Sequence, residues 1–165
     1  MIAIRNILVA TDFSQSSATA LGYGREMARR FGAVLHVMHV VDDISARVSV
    51  ASGLPYDLGR AQMELEAYAN EQLTGAITEE DRRELTIELV QRTSSSPAYA
   101  ISTYAREAGI DLIITGTHGR GTVAHLFMGS VAERVIRTAP CPVLTVRHPE
   151  HEFIRPDTMT TVAHA

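Results

Sequence analysis

Short apolar runs recurring between stretches of helical periodicity constrain this chain more than any other feature. Asn6–Ala10 (NILVA), Ala33–Val41 (AVLHVMHVV), Ile110–Thr115 and Val143–Val146 are almost unbroken aliphatic runs. A strand wetted on one side alternates apolar with polar residues, so runs without alternation predict strands covered on both faces, as in a parallel sheet. Leu85–Val90 (LTIELV) differs, with Leu85, Ile87 and Leu89 on one face and Thr86 and Glu88 on the other. That pattern predicts an edge strand with a wetter side.

The intervening segments read as helices. Ser14 is placed to cap the first, whose apolar positions Ala20, Leu21, Met27, Ala28 and Phe31 keep helical spacing until Gly32 supplies a stop. Asp42 to Asp57 reads as a long irregular connection. Leu58–Ala76 reads as a second helix through Ala61, Leu65, Tyr68, Ala69 and Leu73, followed by a solvated charged run at Glu79–Glu84. Ser94-Ser95-Ser96-Pro97 starts another helix with proline suited to its first position, and Ala98, Ile101, Ala105 and Ala108 form its buried stripe before Gly109. A last helix is expected from about Ser130 to Thr138. Strands alternating with helices predict an α/β fold with a parallel sheet and right-handed crossovers, in which ligands collect at the carboxyl ends of the strands.

A chain of 165 residues is the size of one domain. We expect that domain over residues 1–147 and a tail over 148–165, where three histidines, Pro149 and Pro156 occur with little periodicity. No apolar run reaches the roughly 18 to 20 residues that cross a bilayer, and MIAIRNILVATDFS lacks the pattern of a signal peptide, so a cytoplasmic protein without membrane contact is expected. A net charge of −4 argues against broad binding to nucleic acid, which needs a clustered positive field. All fifteen basic side chains are arginine and none is lysine. That excludes a Walker-type phosphate loop, a lysine Schiff base and the lysine-dependent kinase constellation. The single cysteine, Cys141, lies between Pro140 and Pro142 and supports neither an internal disulfide nor a four-thiolate metal site. It reads as a small, semi-buried side chain at a strand entrance.

If phosphate is bound, backbone amides and arginine must hold it, and GTHGRGTVAHLFMGS from Gly116 to Ser130 offers both. Gly116 and Gly119 bracket a turn after the fourth strand, where missing Cβ atoms permit positive φ and let amides approach a ligand. Ser130-Val131-Ala132-Glu133 matches the capping box S-x-x-E and so marks a helix N-terminus, an anion site by its unpaired amides and dipole. A polyphosphate fits two such amide cradles, with Arg120 and the Ser130 hydroxyl as side-chain ligands. The same residues allow a plainer reading in which Gly116 ends a strand, Gly129 breaks a turn and Ser130 only caps.

The pattern G-x2-G-x9-G-S, followed by SVAERVIRTAPCPVLTVR and preceded near the start by ILVATDFS and at the end of the second strand by HVVDD, resembles the nucleotide-binding class of the universal stress protein family. The similarity runs from Arg5 to Arg147. It implies a Rossmann-like fold of the adenine nucleotide alpha hydrolase kind: an open five-stranded parallel sheet of order 3-2-1-4-5, helices on both faces, and homodimers formed through the fifth strand, residues 143–147. It further implies ATP, or ADP or AMP, across the carboxyl ends of strands one, two and four. Adenine would lie near Ala10, Thr11 and Val40. Asp12 would stand near the ribose or a phosphate-bound magnesium ion. Thr115, Gly116, Gly119, Gly129, Ser130 and the Val131 amide would gather about the phosphates, with Arg120 on the distal one.

Individual residues also carry plainer readings. Asp12 can cap the Phe13-Ser14 turn instead of holding metal. His118 can fix its turn or act as a base. His36 and His39 point to opposite faces of one strand and cannot share a metal, so both read as buried, hydrogen-bonded histidines. His148 and His151 lack an evident third ligand. The leading expectation is an ATP-binding regulatory protein in stress tolerance, whose output is a conformation or an assembly and whose protein partner the sequence does not identify. The alternatives are a slow magnesium-dependent ATPase or phosphotransferase using Asp12 and Arg120, and a nucleotide-free interaction module.

Overall fold

A computed structural model describes residues 3–45, 57–117 and 129–147 of the chain. The elements in order are β1 (Asn6–Ala10), α1 (Gln15–Phe31), β2 (Val34–Val41), α2 (Leu58–Gly75), α3 (Glu79–Glu84), β3 (Ile87–Thr93), α4 (Pro97–Glu107), β4 (Leu112–Gly116), α5 (Ser130–Thr138) and β5 (Val143–Val146). They build a five-stranded sheet of order β3-β2-β1-β4-β5 in which every pairing is parallel. The expected fold and strand order are therefore observed, with β1 at the centre and the order reversing beside it.

The unbroken apolar strands have the predicted cause. Ile7 and Val9 of β1 face one layer, with Leu35 and Val37 of β2, Ala20, Leu21 and Ala28 of α1, and Leu73 of α2. Leu8 and Ala10 face the other, with Met38, Ile113, Ala98, Ile101 and Ala105 of α4, and Val135 of α5. Ile7, Leu8 and Val9 are completely buried. Each such side chain contributes about 1.5–3 kcal/mol by leaving water, and a polar residue at position 7, 8 or 9 would meet apolar neighbours on either face. Gly24 shows how closely α1 lies on the sheet, since a Cβ there would stand 2.4 Å from Val9 Cγ2.

Helix ends follow local chemistry. Ser14 caps α1 by accepting from the Ser17 amide, and Gly32, at φ 63°, closes it with its own amide on the Ala28 carbonyl. Pro97 opens α4, and Gly109, at φ 60°, turns the chain beyond it. The Asp111 Oδ2 then accepts from the Arg5 amide at 2.7 Å and the Asn6 amide at 3.0 Å, tying the start of β1 to the start of β4. Strand β4 accordingly begins at Leu112 rather than at Ile110, which is buried in the α4 layer just outside the strand.

Other boundaries and burials also depart from expectation. The charged run at Glu79–Glu84 is not merely solvated: it is α3, opened by a capping box in which Asp81 and Thr78 satisfy each other's backbone amides. Asp81 is 2% exposed and is gripped by Arg25 Nε at 2.9 Å and Arg29 Nη2 at 3.4 Å. Burial alone would raise this carboxyl's pKa, but the Thr78 hydrogen bonds and the Arg25 guanidinium outweigh it and hold the value below the ordinary one. Phe31, Leu65 and Tyr68, expected on buried helix faces, are exposed. In α2 only Ala69 and Leu73 are buried, because this helix crosses the sheet edge at β2 and β3 and meets it over its last turns. Cys141 is half-buried against the α4 layer with its thiol pKa pushed up by that burial, as expected of a packing cysteine.

Candidate site at the carboxyl ends of the strands

The crossover reversal at β1 brings Ala10, Val40 and Thr115 to one end of the sheet, where Ala10 is in register with Met38 on one side and Thr115 on the other. Ala10 and Val40 both face the α4 and α5 layer. Thr11 is buried: its amide continues the ladder onto the Met38 carbonyl at 2.9 Å, and its hydroxyl donates to Ser17 Oγ at 3.1 Å while accepting from the Phe13 amide at 3.0 Å. Thr115 is also buried, and its hydroxyl donates to the Gly116 carbonyl at 3.3 Å. Asp12 Oδ1 accepts from both the amide and the hydroxyl of Ser14, at 3.1 and 2.6 Å. The turn-capping role of Asp12 is thus present, and it orients the carboxylate at the mouth of this end.

Thr117 closes the arrangement. Its amide donates to the Val146 carbonyl at 2.8 Å, and its carbonyl accepts from the Gly129 amide at 2.6 Å. The second bond sets the start of α5 beside the end of β4, although eleven residues separate them in sequence. The first intrahelical bond runs from the Glu133 amide to the Gly129 carbonyl at 3.0 Å. Helix geometry therefore leaves the Ser130, Val131 and Ala132 amides without intrahelical acceptors, at the positive end of the helix dipole. Ser130 is exposed there, as is Val131.

Two expectations at this helix need correction. Gly129, not Ser130, is the N-cap, and no side-chain capping bond forms. Glu133, which a capping box would turn back toward the cap, instead accepts from Arg137 Nη2 at 2.7 Å. Neither Gly116 nor Gly129 uses positive φ, and Gly129 has φ −58° and ψ 143°, open to any residue. Glycine at 116 answers a packing demand: a Cβ there would lie 2.4 Å from Ser16 Oγ and 2.9 Å from the Ser16 carbonyl carbon. The absent side chain lets the first turn of α1 close onto the end of β4. Gly119 and Arg120, together with His118, His148 and His151, lie outside the described residues.

The structure thus brings together Ala10, Thr11, Asp12, Val40, Thr115, Gly116, Gly129, Ser130 and Val131. It also shows supports that the motif reading passed over, namely Ser17 under Thr11, Thr117 as the clip, and His39, whose Nδ1 is 2.8 Å from the Thr11 carbonyl. The hydroxyl-rich TDFSQSS was the available signal for Ser17. His36 and His39 do face opposite layers, with His36 Nδ1 2.8 Å from Tyr104 Oη on α4. Among the described residues no cluster of three or more His, Cys, Asp or Glu is arranged to hold a metal ion.

Residues 3–147 match the Universal stress protein family. A universal stress protein of Thermus aquaticus is 36% identical over 147 residues, covering 87% of this chain and 98% of that protein. The crystal structure of a universal stress protein family member from Burkholderia pseudomallei is similar with a TM-score of 0.68 at 30% identity, covering 87% of this chain and 96% of that one. A universal stress protein crystallised in complex with cAMP is similar with a TM-score of 0.57 at 25% identity, covering 88% of this chain and 98% of that one.

Proposed function

The chain belongs to the universal stress protein family, and from that premise we propose that it binds an adenine nucleotide, ATP foremost with ADP or AMP as competitors, at the carboxyl ends of β1, β2 and β4. The observation that carries this reading is the clip between the Gly129 amide and the Thr117 carbonyl. It sets the free amides of α5 beside the end of β4, opposite the turn that carries Asp12, as a phosphate chain lying across the end of a sheet requires. The relative in complex with cAMP supports the adenine nucleotide class.

In this reading Ala10, Thr11 and Val40 flank the base, Asp12 faces the ribose, and the Ser130 and Val131 amides with the Ser130 hydroxyl take phosphate oxygens. Gly119 and Arg120 are assigned to the phosphates on the sequence pattern. Magnesium would arrive with the phosphates and take one protein carboxylate, Asp12, since the described residues offer no cage of their own. The bound nucleotide would act as a signal, read as a conformation or an assembly in stress tolerance by a cytoplasmic protein. Strand β5, at the end of the sheet order, would pair two copies into a homodimer. Isothermal calorimetry with ATP, ADP, AMP and cAMP, with and without magnesium, tests the binding. Saturable binding with submillimolar affinity is the expected result, and no heat or saturation at millimolar nucleotide refutes it.

A further inference from the structure

The link between β1 and α1 contains the one described non-glycine residue with positive φ: Phe13, at φ 64°. For an L residue that conformation costs on the order of 1 kcal/mol and persists only where its surroundings determine it. Three contacts do so. The Thr11 hydroxyl accepts from the Phe13 amide at 3.0 Å. The Phe13 ring lies on the His39 ring, with centroids 4.3 Å apart and planes tilted by 31°. His39 Nδ1 in turn sits 2.8 Å from the Thr11 carbonyl oxygen. A carbonyl can only accept, so Nδ1 carries the proton, which fixes the tautomer of neutral His39.

We infer that His39 is a positioning residue for the nucleotide site: by holding the Thr11 carbonyl and the Phe13 ring together it sets the left-handed turn that presents Thr11 and Asp12. This rests on the proposed binding of an adenine nucleotide at these residues. The Thr11 carbonyl and the Asp12 N–H belong to one planar trans peptide unit and point opposite ways. Fixing the carbonyl on His39 therefore fixes the direction of the Asp12 amide, away from His39. Asp12 Oδ1, bound to Ser14, completes the orientation of the same residue. His39 itself lies in the layer of α1 and α2, across the sheet from the face of Ala10 and Val40. It acts through the turn, without touching a ligand on that face.

The substitutions separate the donor from the ring. In His39→Phe the ring remains and the donor is lost. In His39→Asn the amide nitrogen stands where Nδ1 stood and the donor remains. We expect His39→Phe to bind ATP about tenfold more weakly than wild type, and His39→Asn to stay within about threefold of wild type, by calorimetry on the full chain. In the wild-type protein at pH 8, the nitrogen shifts of the His39 ring should report a proton on Nδ1, a readout independent of whether either variant folds. Equal affinity of His39→Phe and wild type, equal weakening of both variants, or a proton on Nε2 alone would each overturn the inference. Wild-type protein that binds no adenine nucleotide instead removes the reading beneath it, which sets the two failures apart.

Discussion

The two ends of the sheet are built from the same strands and solve opposite problems. At the amino end the protein satisfies itself: Asp111 Oδ2 takes the Arg5 and Asn6 amides, and Asn6 Nδ2 donates to the Gly109 carbonyl at 3.2 Å. At the carboxyl end a helix begins with amides that its own carbonyls do not reach, and the clip at Thr117 holds them there. One end uses a carboxylate to finish the fold, whereas the other leaves helix amides without intrahelical partners, which the proposed function assigns to phosphate. The two ends can differ in this way because the backbone polarity of parallel strands points all carboxyl termini the same way.

Experiments can break this division. The largest effect is expected at the carboxyl end: Gly129→Val, whose backbone angles suit valine, should weaken ATP binding by about 100-fold, or about 2.7 kcal/mol, while the apo melting temperature changes by only a few degrees. Calorimetry paired with thermal unfolding checks both halves, and a loss of stability as large as the loss of binding would erase the distinction. Gly116→Ala comes next, because its Cβ meets Ser16 and must push α1 from β4. Urea unfolding should show about 2 kcal/mol of destabilisation, with binding weakened as well, since this glycine serves both purposes. At the amino end Asp111→Ala should cost about 1.5 kcal/mol by stranding two amides and leave the ATP affinity unchanged. Altered affinity there would show the ends to be coupled.

The smallest effect sharpens the comparison by lying at neither end. His36 is 7% exposed, and burial lowers its pKa from the ordinary 6.5 against an opposing pull from Glu88. The unfolded chain then takes up a proton that the folded one resists. Stability is full above about pH 6.5 and falls as the pH drops through 6.5 toward the lower folded value. Urea titrations at pH 8 and pH 5.5 should show that loss, and His36→Asn should reduce it. Equal pH dependence in the two proteins would assign the acid sensitivity to other groups.

Most of the fold could be read from the chain because burial on both faces leaves a mark that single residues carry. Ile7, Leu8 and Val9 each declare a covered surface, so NILVA needed no neighbour to be interpreted. Leu65 and Tyr68 show the limit: helical spacing says which residues share a face, but how far α2 overlaps the sheet depends on where β2 and β3 lie. Asp81 was misread for a related reason, since its partners Arg25 and Arg29 stand on α1, more than fifty residues away. At the site, Gly129-Ser130 announced a helix start, but Ser130 is not the cap because the first intrahelical bond, from the Glu133 amide, lands on the Gly129 carbonyl, one residue earlier. Gly116 was noticed for the right composition and the wrong geometry: its constraint comes from Ser16, a residue of another element.

The buried Asp81 grip has a chemical corollary. Its cations are guanidinium groups, and the chain contains no side-chain amine anywhere. Acylating reagents, whether enzymatic acetyl donors or laboratory succinimidyl esters, find no ε-amino group to neutralise, so the tie between α1 and α3 is indifferent to chemistry that would unfasten the same junction built with lysine.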